Sequence, residues 1–160
     1  MGPLFRVRDV LNRLPVSFAH LLMRIGVGSV FFTAGLLKYQ SWDMTLMLFR
    51  DEYKVPLLPP DLAARIAMGQ ELTLPVLLFV GLGTRIAALP LLGMIGVIQV
   101  FVYPSAWVEH LVWASILLFL LMRGPGALSL DHLVARWCGG QNPPGDHARR
   151  SGEPLARTSV

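Results

Sequence analysis

Cysteine is almost missing from this chain, which has one, Cys138, among 160 residues. That excludes an internal disulfide, a CxxC pair and any dithiol active site. Thiolate-held zinc and iron–sulfur clusters are excluded with them. Charge is scarce as well: Asp, Glu, Lys and Arg together make up 15% of the residues, against about 25% in soluble domains. Hydrophobic residues reach 54% and mean hydropathy is +0.55. A soluble fold of this size could not hide so much apolar surface, so the chain belongs in a bilayer. The net charge of +4 does not point to nucleic acid. Its basic residues cluster at the ends of apolar segments and in both tails, where membrane topology accounts for them.

Four apolar stretches stand out: residues 17–39, 62–83, 84–103 and 106–122. Each approaches the ~20 residues needed to cross ~30 Å of hydrocarbon. The second and third are joined by Gly81-Leu82-Gly83-Thr84 and the third and fourth by Tyr103-Pro104-Ser105, turns that permit only antiparallel hairpins. The expected fold is an all-α membrane protein, a four-transmembrane-helix antiparallel bundle with short interfacial helices. Its parts are an N-terminal interfacial segment (1–16), the transmembrane domain (17–128), an interfacial helix (129–138) and a disordered tail (139–160). The first stretch is too long for a signal-peptide core and carries Arg24, so it is read as a retained span.

Arg6, Arg8, Arg13, Arg85 and Arg123, with the arginines of the C-terminal segment, fall on one side of this arrangement. The 103–106 connection has no Lys or Arg, and the loop over 40–61 sets Arg50 and Lys54 against Asp43, Asp51, Glu52 and Asp61. The positive-inside rule then puts both termini in the cytoplasm of a bacterial inner membrane, with the 40–61 loop periplasmic. Within that loop the proline-rich run Val55–Pro60 is expected to be extended.

Charges inside a bilayer need a partner or a purpose. Arg24, Gly28, Phe31, Gly35 and Lys38 form one stripe of the first helix. Glu71 sits mid-way along the second. If the ends of the two helices are level, Glu71 lies roughly 8 Å in depth from Arg24. A structural ion pair is therefore expected between Glu71 and a first-helix cation, Arg24 in preference to Lys38. Gln99, His110 and Trp113 gather at similar depth toward the other end of the bundle. With Glu71 they form the candidate ligand pocket, either a functional polar site or a set of interhelical hydrogen bonds. Tyr39, Trp42, Tyr103 and Trp107 read as boundary anchors. His20 and His110 are separated by roughly 20 Å along the bundle, which rules against a bis-histidine haem. No spacing suggests a metal site.

The run from Arg24 to Lys38 resembles the opening of the DoxX family. So do Glu52–Pro60, Glu71-Leu72, Gly81–Arg85, Gln99–Pro104, His110–Trp113 and Arg123–Asp131. The resemblance covers about residues 17–136 and implies a small four-helix inner-membrane protein. It also implies a place beside redox chemistry, since the family takes its name from a subunit of a thiosulfate:quinone oxidoreductase. The expected function is a membrane subunit of a quinone-linked complex, with quinone as the possible ligand, no covalently bound cofactor, and a protein partner at the periplasmic loop or the cytoplasmic face. Two alternatives stand beside it. One is a non-enzymatic anchor or accessory partner of a copper-stress or peptide-maturation system; the other is a small-solute transporter. Any catalytic residues are not legible.

Overall fold

A computed structural model describes residues 15–53, 55 and 58–138; the expectations for 1–14 and 139–160, and for most of the 54–57 run, lie outside the described residues. All regular structure among the described residues is helical. Helix α1 spans Val16–Gln40. It is followed by α2, Trp42–Met47, which widens into a π turn over Leu48–Tyr53. Helix α3 covers Pro60–Val80, and α4 covers Thr84–Val97, prolonged by a second π turn over Ile98–Val102. Helix α5 covers Trp107–Arg123, entered through a short 3₁₀ turn at Pro104–Ala106. Helix α6 covers Leu130–Cys138.

Four of these segments, Val16–Gln40, Pro60–Val80, Thr84–Val102 and Pro104–Arg123, are long and apolar enough to cross a membrane. They pack as a ring in which α1 meets α3, α3 meets α4, α4 meets α5 and α5 returns to α1. The result is an up-down-up-down bundle. Its centre is a compact apolar core in which Val27 and Phe31 of α1 meet Leu78, Ala87, Leu91, Leu117 and Leu120. Its outside stays apolar: Leu22, Ile86, Leu89, Leu111 and Met122 are each more than half exposed, as lipid-facing positions should be. Phe49, Ala63 and Ala64 form a second core at the end that carries α2, with Trp42 and Tyr53 against them. That end is the loop end below, and the opposite one the turn end.

The close fit of α1 on α3 depends on two glycines. A Cβ at Gly28 would lie 2.6 Å from the Phe79 ring, and one at Gly35 would lie 2.8 Å from the Glu71 Cβ and 3.0 Å from its backbone carbon. These contacts also fix the register, with Gly35 level with Glu71. Gly35 lies five residues from the end of α1, whereas Glu71 lies eleven from the start of α3. Helix α3 therefore overshoots α1 by about 9 Å at the loop end, where its first turns pack under α2. Pro60 joins this helix as its first residue instead of extending the proline run, because proline fits the first turn, where no amide partner is needed.

The turn end is built on hydrogen bonds. Gly81, at φ 70°, closes α3: its amide donates to the carbonyls of Leu77 and Leu78, and the Leu82 amide donates to Leu77 at 3.0 Å. This is a Schellman closure, for which a left-handed glycine is suited. Asp131 of α6 then caps the next helix from a distance. Its carboxylate accepts from the Gly83 amide at 2.8 Å and the Thr84 amide at 3.4 Å, while its own amide donates to the Gly81 carbonyl. Ser129 caps α6 itself, accepting from the His132 amide at 3.2 Å.

Candidate functional site

Between the loop-end halves of α1, α3, α4 and α5, under the π turn that follows α2, lies a cavity of about 660 Å³. Much of its wall is apolar, including Phe31, Phe49, Met94 and Trp113, and Lys38, Tyr53, Glu71, Tyr103 and His110 supply polar groups. Its size falls within the ~300–1,000 Å³ of small-molecule sites. The overshoot of α3 creates the space. Above Lys38, α1 has ended, and α2 with its wide turn roofs the gap.

Glu71 is buried and Lys38 reaches it from α1. The ammonium donates to Oε1 at 2.8 Å and lies 2.7 Å from Oε2, an ionic contact without a hydrogen bond. The expected ion pair is thus present with Lys38 and not with Arg24. The reason is the overshoot: Arg24 is eleven residues from Gly35, the residue that faces Glu71, a separation of about 16 Å along α1. Arg24 serves the turn end. It is buried, it donates to the Leu128 carbonyl at 2.5 Å, and its guanidinium fills the space that a Gly81 side chain would need.

His110 and Gln99 do meet. Nδ1 of His110 lies 2.6 Å from Oε1 of Gln99, and Nε2 of Gln99 donates to the Pro104 carbonyl at 2.9 Å. The proline carbonyl can only accept, so it fixes the amide with Oε1 toward the imidazole. Nδ1 must then carry the proton, and Nε2 is the nitrogen left to accept or donate elsewhere. Gln99 sits in the wide turn that ends α4 and stands behind His110, outside the cavity lining. Trp113 lines the cavity one turn along, with its ring 5.6 Å from the imidazole and 6.3 Å from Phe31.

Two tyrosines complete the polar set. The Tyr53 and Tyr103 hydroxyls are 3.2 Å apart, and the rings meet edge to face at 5.8 Å. Burial pushes the Tyr53 phenol well above the ordinary tyrosine range, and the hydrogen bond to Tyr103 adds to the shift. Sequence reasoning treated Tyr103 as a boundary anchor and passed over Tyr53. Both stand where aromatics are enriched in any membrane protein, so only their pairing across 50 residues marks them. Among the described residues, no three His, Cys, Asp or Glu side chains gather as a metal site.

The sequence model of the DoxX family matches residues 19–104. An uncharacterized protein of Haemophilus influenzae is 32% identical over an alignment of 128 residues, and the match covers 72% of this chain and 83% of that protein. No solved structure matches.

Proposed function

The chain belongs to the DoxX family of membrane proteins, and from the site just described we propose that its loop-end cavity binds a quinone as the membrane subunit of a redox complex. One observation carries this reading: an apolar slot of about 660 Å³ on which an ion pair, two phenols and an oriented imidazole converge. A quinone needs an apolar slot for its ring, donors near its two carbonyl oxygens, and groups that exchange protons as it is reduced.

Each requirement has residues suited to it. Trp113 and Phe31 offer aromatic surface to a ring. The Tyr53–Tyr103 pair can donate one hydroxyl onward, because one of the two protons is engaged between them. His110, held by Gln99, presents Nε2 for hydrogen bonding and proton transfer. The Lys38–Glu71 pair also lines the cavity and offers a second place to hold a proton. Reduction of a quinone to a quinol takes up two electrons and two protons. In this proposal the protons pass through His110 and Glu71, and a protein partner docked at the loop end supplies the electrons. The arginine asymmetry supports a bacterial inner-membrane location with cytoplasmic termini and a periplasmic cavity mouth.

The test is equilibrium binding of a short-tailed benzoquinone to the purified protein in nanodiscs. His110→Ala should weaken binding at least tenfold while the protein keeps its melting temperature. Equal loss of folding would make His110 a helix tie only. Stoichiometric co-purification of a partner with no quinone binding or turnover would favour the accessory-subunit reading.

A further inference from the structure

The turn end holds a second concavity, a groove of about 540 Å³ between the start of α4 and the end of α5. The Gly124–Gly126 loop and the first turn of α6 close it on one side. Arg85, Arg123, His132 and Asp131 line it. Asp131 is already committed, since both of its carboxylate oxygens accept from the amides that open α4. The arginines are not. Both are exposed, and neither forms an ion pair among the described residues. Among the described residues, Arg85 makes only a 3.5 Å contact with the Met122 carbonyl. On the bundle side of Ser129, Nε and Nη1 of buried Arg24 have no hydrogen-bond partner among the described residues. Two guanidiniums therefore line the groove against one carboxylate, with the third, Arg24, buried beneath it.

The groove's flank is apolar. Ile86 lines it and is 78% exposed, and it continues into exposed Leu89 on the same face of α4, with exposed Met122 on α5. Helix α6 adds an independent marker of level. Its apolar side chains Leu133, Val134 and Trp137 are exposed, Trp137 at 93%, as in a helix lying in the plane of the headgroups. The Asp131 cap ties that helix to the groove, so the groove lies at headgroup depth.

We infer that this groove binds the phosphate of an anionic phospholipid. Arg85 and Arg123 grip the phosphate oxygens, and the acyl chains descend along Ile86 and Leu89. Guanidinium groups suit this ligand because their planar fork matches a phosphate edge with two parallel hydrogen bonds. A choline headgroup would bring a second cation against the arginines. Inorganic phosphate would find the same charges but none of the apolar flank.

The test incubates the full-length protein in neutral detergent with equal amounts of phosphatidylglycerol and phosphatidylcholine and counts retained lipids by native mass spectrometry. The expected preference for phosphatidylglycerol is about thirtyfold, the contribution of two basic side chains at a membrane surface. The Arg85→Ala/Arg123→Ala double variant should lose it, whereas Arg50→Ala/Arg65→Ala at the loop end should keep it. Excess inorganic phosphate should leave the lipid in place. Equal retention of the two lipids would overturn the inference, as would a preference that survives the double variant. Displacement by phosphate would make the groove a free-anion site. If the double variant fails to fold, wild-type deuterium exchange decides: phosphatidylglycerol, and not phosphatidylcholine, should protect residues 81–86 and 123–132, and absence of that protection refutes the site.

Discussion

Removing Lys38 and removing Glu71 break the same contact, yet the two changes should differ in cost. The Glu71 side chain is 4% exposed and the Lys38 side chain 20%. Glu71 is wedged against Gly35 in the middle of α3, too far from either helix end to swing its carboxylate outward. Lys38 stands two residues from the end of α1, where its ammonium can swing outward once released. Lys38→Met strands a carboxylate, and stranding one member of a buried pair costs about 3–5 kcal/mol. Proton uptake by Glu71 holds the cost toward the lower figure. Glu71→Gln leaves a neutral amide and a lysine free to solvate, a loss of about 1 kcal/mol, the scale of one hydrogen bond. The difference, about 2 kcal/mol, is roughly thirtyfold in the folding equilibrium. Equilibrium unfolding in mixed micelles, followed by tryptophan fluorescence, measures it. The Lys38→Met/Glu71→Gln double variant should fall close to Glu71→Gln alone. Arg24→Leu combined with Glu71→Gln should be additive, since those side chains do not meet. Equal costs for the two single changes, or additivity in the Lys38–Glu71 cycle, would refute the reasoning.

Three further outcomes follow from other parts of the molecule. Single cysteines at Glu52 and Ser151, in a background without Cys138, should label from opposite sides of the membrane; labelling of both from the same side would refute the four-span topology. Asp131→Ala should cost about 1 kcal/mol, as loss of a helix cap does, and should raise deuterium exchange across Leu130–Cys138, whereas unchanged exchange would mean that the cap does not hold α6. Folding keeps the Tyr53 proton to higher pH than the unfolded chain, whose phenols ionise near pH 10. The folded state then binds more protons above that pH, and stability falls as pH rises past about 10. Tyr53→Phe should flatten the decline, and phenolate absorbance should show one fewer late-titrating group; an unchanged titration would contradict the shift.

The four spans were legible because the bilayer sets their length and charge is excluded from them, so each boundary fell within a few residues of its helix. Depth alone also brought Gln99 to His110, since a three-residue connection between α4 and α5 leaves little freedom. It misled at Glu71, where equal depth for the ends of α1 and α3 was assumed. The first turns of α3 extend past α1 to cover Phe49 and Trp42, a packing demand set by the loop helix and invisible in the periodicity of α3. Asp131 was legible only as part of a motif. Its partners are 47 and 48 residues away, and no local pattern announces a cap supplied by another helix. Tyr53 and Tyr103 were hidden by a sufficient ordinary explanation, the aromatic belt.

Gly93 offers the most direct test of the cavity as a quinone site. It lines the cavity, and a Cβ placed on it would meet nothing within 4 Å, so Gly93→Leu can occupy ligand space without straining the bundle. Leucine also favours the helix over glycine by roughly 1 kcal/mol. The measurement is saturable binding of a short-tailed benzoquinone to wild-type and Gly93→Leu protein in nanodiscs, with melting temperature recorded for both. The account predicts one site in the wild type and none in a variant that melts no lower. Undiminished binding by Gly93→Leu, or no saturable binding by the wild type, would contradict it.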